Sequence, residues 1–185
     1  MKIASIPVNY KPDFPALKSM GVEAIYLCAC KGQAKDPAFE SNYTLALENG
    51  FKVGFYHYFE ASKRNKMVTA GAKEGRTFGA AIKGKKYDLP ICLHLVGKHS
   101  EAIPLRNGIN AWAQYVDKIL NKPPMRWTDK IILRGTKDQL EVADEDEDND
   151  CYRRWVLGYE GYNKACVKQI DCTGDDVIIS EGKFE

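Results

Sequence analysis

This 185-residue chain lacks a charge excess of either sign: 27 Lys and Arg stand against 25 Asp and Glu, a net +2. So weak a field excludes the basic footprint of a nucleic-acid binder and gives no reason to expect a membrane surface as partner. Long apolar runs are missing as well. None approaches the ~20 residues that span a bilayer, and the opening MKIASIPVNY has no apolar stretch ahead of a cleavage site, so export by a signal peptide is not expected. The six cysteines lack the C-x-x-C spacing of a structural zinc site. Neither a metal nor another cofactor is expected. Cys28 and Cys30 lie two apart on an expected strand, where they should face the same way without bonding each other. Buried thiols acting as small apolar residues is the favoured reading; any disulfide belongs among Cys151, Cys166 and Cys172, in loop-rich sequence.

What is present is a sustained alternation of helical and strand patterns. At 44% hydrophobic the chain can bury a core of ordinary size, and one domain over residues 1–185 is expected. The clearest unit is Asp36 to Phe59, DPAFESNYTLALENGFKVGFYHYF. Asp36 can cap a helix, Pro37 suits its first turn, and Phe39, Tyr43, Ala46 and Leu47 recur at helical spacing. Gly50 ends it, and Phe51 to Phe59 reads as one buried strand.

The same rhythm runs along the chain. Lys2 to Val8 reads as a strand, and Asp13 caps a short helix through Leu17 that Gly21 ends. Glu23 to Cys30 is a second strand. Asn65 to Lys83 can place Met67, Val68, Ala72, Phe78 and Ile82 on one helical face, although its three glycines weaken the helix. Leu89 to Val96 is a fourth strand. Ile103-Pro104 breaks the chain before an amphipathic helix carrying Ile109, Trp112, Tyr115, Val116, Ile119 and Leu120 inward, and Asn121-Lys122-Pro123-Pro124 closes it. After a fifth strand at Lys130 to Arg134, short strands follow near Trp155, Ala165 to Ile170 and Val177 to Ile179, without long helices. About five βα repeats followed by short strands predict an α/β protein, a single barrel whose last quarter lacks its helices. The acidic run Ala143 to Asp150 lacks the glycine and glutamate spacing of a calcium loop and reads as a solvated loop.

The word Asp36-Pro37-x-Phe39-x-x-Asn42-x-x-x-Ala46-x-x-x-Gly50-x-x-Val53-Gly54-x-Tyr56-His57 resembles the second helix and third strand of glycoside hydrolase family 25, the muramidase-type lysozymes. Asp13-Phe14-x-x-Leu17-Lys18-x-x-Gly21-Val22 is similar to the family's preceding helix. The resemblance implies a lysozyme-like (β/α) barrel over nearly the whole chain. It also implies where chemistry would sit: an Asp on the first strand and an Asp-x-Glu pair on the fourth, with the Glu as general acid. Cleaving a glycosidic bond takes one carboxylic acid to protonate the leaving oxygen and a second carboxylate beside the oxocarbenium centre.

In that frame the fourth strand reads Leu89-Pro90-Ile91-Cys92-Leu93-His94-Leu95-Val96, so His94 and Val96 stand where the Asp and Glu belong. The first-strand Asp falls at Ala4 or Ser5. Ser5, His94 and Val96 are therefore vestigial positions, and no catalytic residue is assigned. His57, Tyr56 and Gln169 are candidates to line the mouth or its floor. A Cys92–His94 nucleophile pair is disfavoured, because side chains two apart on a strand are ~7 Å apart by strand rise. Asp88, Glu101, Asp171, Asp175 and Asp176 lie in expected loops, and no spacing selects a pair among them.

The expectation is a non-catalytic pseudo-muramidase. Since family 25 muramidases are common in bacteriophages and bacteria, a structural or assembly component of a virion is expected, with protein partners in the particle. Its location would be the virion, or the host cytoplasm before assembly or lysis. Two alternatives stay open: an active N-acetylmuramidase with relocated acidic residues, and a module that binds peptidoglycan or another glycan without cleaving it.

Overall fold

The computed structural model describes residues 1–61, 66–97, 101–121, 131–144, 153–156, 165–173 and 177–182. In chain order these form β1 (Lys2–Ile6), α1 (Phe14–Ser19), β2 (Ala24–Lys31), β3 (Ala34–Lys35), α2 (Phe39–Glu48), β4 (Lys52–Phe59) and α3 (Met67–Ile82). There follow β5 (Ile91–Leu95), α4 (Ala102–Leu120), β6 (Ile131–Gly135), α5 (Lys137–Asp144), β7 (Arg153–Val156), β8 (Ala165–Thr173) and β9 (Val177–Gly182). No described helix is long and apolar enough to cross a membrane.

Strand pairing closes on itself. From β1 through β2, β4, β5, β6 and β7 to β8 each strand lies parallel to the next; β9 is antiparallel to both β8 and β1 and completes the ring. The two-residue β3 is a short arm folded back on β2. Each of β1, β2, β4, β5 and β6 is followed by a helix, which is the barrel of five repeats and helix-poor remainder that the rhythm predicts. One boundary is corrected. Ala143 and Asp144 belong to α5, with Ala143 buried beneath it, because Leu140 and Ala143 are three apart on one helical face. Residues 145–150 of the acidic run lie outside the described residues.

Both faces of the sheet are covered, so the central strands read as unbroken apolar runs. The outward face of Ala4, Ile6, Ile25, Leu27, Val53, Phe55, Ile91, Leu93, Ile131 and Leu133 packs beneath the helices against Phe39, Phe78 and Trp112. The inward face of Ile3, Ala24, Tyr26, Cys28, Tyr56, Cys92 and Ile132 fills the barrel. Gly54 is what lets it fill: a Cβ there would sit 2.6 Å from the Tyr26 ring, whose hydroxyl donates to Pro90 O at 2.7 Å.

Cys28 and Cys30 do not face the same way. An irregularity between them pairs Cys28 with Tyr56 and Cys30 with His57, which turns Cys28 into the barrel and Cys30 toward the helices. Cys28, Cys30 and Cys92 are free and buried. Burial above all raises the pKa where a shift is resolved, well upward for Cys28 and to about 12 for Cys30, so these two remain inert thiols. The side chains of Cys151, Cys166 and Cys172 lie outside the described residues.

Asp13 caps α1 as expected, accepting from Ala16 N at 2.9 Å. Asp36 does not cap α2, whose cap residue is Ala38; its buried carboxylate accepts from Asn9 N at 2.8 Å and Ala38 N at 3.0 Å, tying the β1–α1 loop to the α2 entry. Pro104 lies inside α4 and does not break it, because a third-position proline gives up an N–H that has no helical partner. The glycines of α3 are the reason it packs, not a weakness. Gly71 and Gly75 lie so close to α4 that an added Cβ would sit 2.2 Å from Gly108 O and 2.1 Å from Trp112 O. The buried stripe runs Met67, Gly71, Gly75, Phe78 and Ile82, and Val68 is 53% exposed, outside it.

Candidate functional site

Barrels of this kind place their chemistry at the C-terminal ends of the parallel strands. Alternation decides which side chains enter there. On β1 the residue is Ser5, with Ala4 and Ile6 packed outward, so the choice between Ala4 and Ser5 falls to Ser5. On β4 they are Tyr56 and Tyr58, on β5 His94, and on β6 Arg134, two residues beyond the inward-facing Ile132. Tyr58, His94 and Arg134 are direct neighbours in register across three strands.

These groups touch. The Tyr58 and His94 rings are 4.6 Å apart, the Tyr56 and Tyr58 rings 5.1 Å, and Arg134 Cζ lies 5.1 Å from the centre of the Tyr56 ring. The Tyr56 hydroxyl reaches across the interior to donate to Ile6 O at 3.0 Å. Arg134 is 1% exposed, whereas Tyr58 and His94 are half-buried and meet solvent. Burial first, and then the Arg134 charge, hold His94 well below its ordinary range, so it is neutral at pH 7. Burial likewise pushes the Tyr56 hydroxyl well above its ordinary range. The His94 imidazole and the Tyr56 hydroxyl beside Arg134 are therefore neutral. Ser5 Oγ is buried and has no hydrogen-bond partner among the described residues.

Val96 follows β5 directly, half-buried, with its N–H donated to Phe59 O at 3.2 Å, and it continues the inward parity of Cys92 and His94. Gln169 stands opposite Ser180, which in turn stands opposite Ile3; its side chain lies outside the described residues. His57 is on the other side of the sheet. It does not line the mouth, because its position in the alternation turns it under the helices, where Nε2 lies 2.9 Å from Glu74 Oε2 and its ring packs on Phe78 and Trp112. Asp88 sits at the opposite end of the barrel, its carboxylate accepting from Val53 N at 2.9 Å. Glu101 precedes α4 at the mouth end. Asp175 and Asp176, and the side chain of Asp171, lie outside the described residues.

Two participants escaped the sequence reading. Arg134 was seen only as a strand end, yet a charge two residues after Ile132 in IILRG was the signal that the strand brings a cation inside. Glu74, which also accepts from Glu60 N at 3.1 Å, falls on the buried stripe of α3 between Gly71 and Phe78.

Glycosidic cleavage asks for two carboxyl groups at this end. Among the residues whose side chains are described, no inward strand position there carries one. The buried carboxylate nearby, Asp36, close enough to raise the pKa of Cys28 and Cys30, is already engaged by two backbone N–H groups.

The family model for glycosyl hydrolases family 25 matches residues 7–170. The chain belongs to glycosyl hydrolase family 25. Its family 25 barrel superposes on a family 25 glycosyl hydrolase from Bacillus anthracis with a TM-score of 0.75, at 14% identity over 99% of this chain and 89% of that one. The modular autolysin LytC of Streptococcus pneumoniae, in complex with a synthetic peptidoglycan ligand, gives 0.72 at 14% identity over 97% of this chain and 46% of that one. In sequence, the YegX protein of Escherichia coli O157:H7 is 32% identical over 99 residues, 52% of this chain. That match spans 34% of YegX, about a third of its length.

Proposed function

We propose that this family 25 barrel does not cleave glycosidic bonds and acts instead as a lysozyme-like binding or assembly component, in a phage particle. One observation carries the first part: the mouth positions of the acid pair and first-strand carboxylate hold His94, Val96 and Ser5, beside the buried Arg134. Valine has no proton to give, and a neutral imidazole next to a guanidinium cannot offset a developing positive charge. A general acid or base contributes ~10²–10⁴-fold each, so a site without them loses most of its rate. The virion setting rests on the occurrence of family 25 muramidases in phages, and a glycan ligand is supported by the peptidoglycan complex of LytC.

The test is release of soluble fragments from purified peptidoglycan by wild type and by the His94→Asp, Val96→Glu double variant. Wild type is expected to be inert, and any turnover gained by the variant identifies a decommissioned muramidase site. Cleavage by wild type would refute the reading and direct attention to Asp36 and Glu101. Co-purification with assembled phage particles, if never observed, would refute the virion setting.

A further inference from the structure

The geometry points to Tyr115 as a nucleophilic phenol on the outside of the α3–α4 pair, a covalent modification site that takes a sulfonyl group from an activated sulfonyl donor. The site lies 13 residues along α4 from Ala102, or ~20 Å from the mouth end of that helix, so it stands apart from the fate of the barrel mouth.

The close approach of α3 and α4 at Gly75 and Trp112 brings Arg76 and Tyr115 together across the seam, although they are 39 residues apart in the chain. Arg76 Nη2 donates to the Tyr115 hydroxyl at 2.9 Å, and its guanidinium carbon lies 4.3 Å from the centre of the ring. Lys118, the next neighbour on the same helix face, brings its ammonium to 6.0 Å from that ring. Arg76 and Lys118 are exposed and Tyr115 is half-buried, so a reagent reaches the hydroxyl from solvent. Neither cation is paired with a carboxylate among the described residues. A phenol reacts as its phenolate, and an oxygen that accepts from a guanidinium beside a second cation has that ionised form favoured. The hydrogen bond from Arg76 and then its charge hold the hydroxyl below its ordinary range, with burial opposing and Lys118 adding to the effect. Two other half-buried tyrosines are bound differently. Tyr43 accepts from Lys86 N at 3.0 Å and donates to Lys86 O at 3.2 Å, and the Lys85 cation over its ring is paired with Glu40. Tyr58 meets the neutral Tyr56 hydroxyl at 3.3 Å. Neither hydroxyl accepts from a cation.

With an arylsulfonyl fluoride the Tyr115 oxygen attacks sulfur, an O–S bond forms, the S–F bond breaks with its electron pair leaving as fluoride, and the phenol proton passes to water. The test treats the intact protein with benzenesulfonyl fluoride at pH 7.5 and follows each labelled position over time by peptide mass spectrometry. Tyr115 is expected to be labelled about tenfold faster than Tyr10 or Tyr43, the gain in phenolate that one unit of acidity supplies. Arg76→Gln should remove most of that advantage, Arg76→Lys less of it, and Lys118→Gln a smaller part. Arg76→Gln and Lys118→Gln should also move the half-maximal rate to higher pH, which a change in access alone would not do. Both substituted side chains are exposed, and thermal melts confirm that each variant is folded; should Arg76→Gln melt early, Lys118→Gln carries the comparison. Labelling of Tyr115 no faster than of Tyr10 and Tyr43, or an unchanged rate and pH profile in the folded variants, would overturn the assignment.

Discussion

Replacing Gly75 by alanine should destabilise the protein even though alanine is the better helix former. In an exposed helix the exchange would gain ~1 kcal/mol. Here the new Cβ would sit 2.1 Å from Trp112 O, where an ordinary carbon–oxygen contact needs roughly 3.3 Å, so α3 and α4 must part by about 1.2 Å. Both sides of the contact are backbone, and no rotamer change relieves it. The separation would loosen Phe78 against Trp112, whose rings are now 5.2 Å apart, and a gap of ~1 Å forfeits up to half of a dispersion contact. Taking the upper end of overpacking costs, ~3 kcal/mol, and subtracting the propensity gain leaves a net loss of about 2 kcal/mol. In a chain of this size that is a fall of roughly 4–8 °C in Tm. Gly79→Ala is the internal control: its Cβ would meet the Ile119 side chain at 3.2 Å, which can shift, and the change should be close to neutral. Urea unfolding and thermal melts of both variants decide the matter. A Gly75→Ala protein as stable as wild type would refute the close-packed helix pair.

Acid should weaken the fold before any carboxylate titrates. His57 is held below its ordinary range by burial, against an opposing contribution from Glu74, and His94 by burial and then Arg134. The unfolded chain therefore takes up these protons first, from pH ~6.5 downward, and stability present above that pH is lost as it falls toward the folded values, by up to ~1.4 kcal/mol per pH unit for each histidine. Urea midpoints at pH 7.5 and 5.5 should differ, less so in His57→Gln; identical midpoints would contradict the burial of His57. Asp36→Ala should cost ~2–3 kcal/mol, because it strands two N–H groups in a buried site, with Asp36→Asn milder. A loss under ~0.5 kcal/mol would show that the β1–α1 loop is held otherwise.

The order of strands and helices was legible because each unit carries local punctuation. Asp13 and Gly21 bound α1, and Gly50 separates α2 from β4, whatever else the chain does. Period-two alternation even foretold that His94 and Cys92 share a side. What local pattern misjudged were residues whose meaning depends on a neighbour distant in sequence. Three glycines in α3 look like a weak helix until α4 lies against them. Pro104 looks like a break until the helix is seen to begin two residues before it. His57 was expected at the mouth and faces Glu74 on the other side.

By itself, then, the sequence determined the barrel and the absence of carboxylates from the fourth-strand positions, since both follow from residue type and spacing along one chain. Only the tertiary structure decided that Ser5 and not Ala4 enters the mouth, that Arg134 lies beside His94, and that Asp36 is spent on two backbone N–H groups. The physical reason is that inside and outside are properties of a closed sheet. One bulge at Cys28 and Cys30 reverses them, and no stretch of chain carries that information alone.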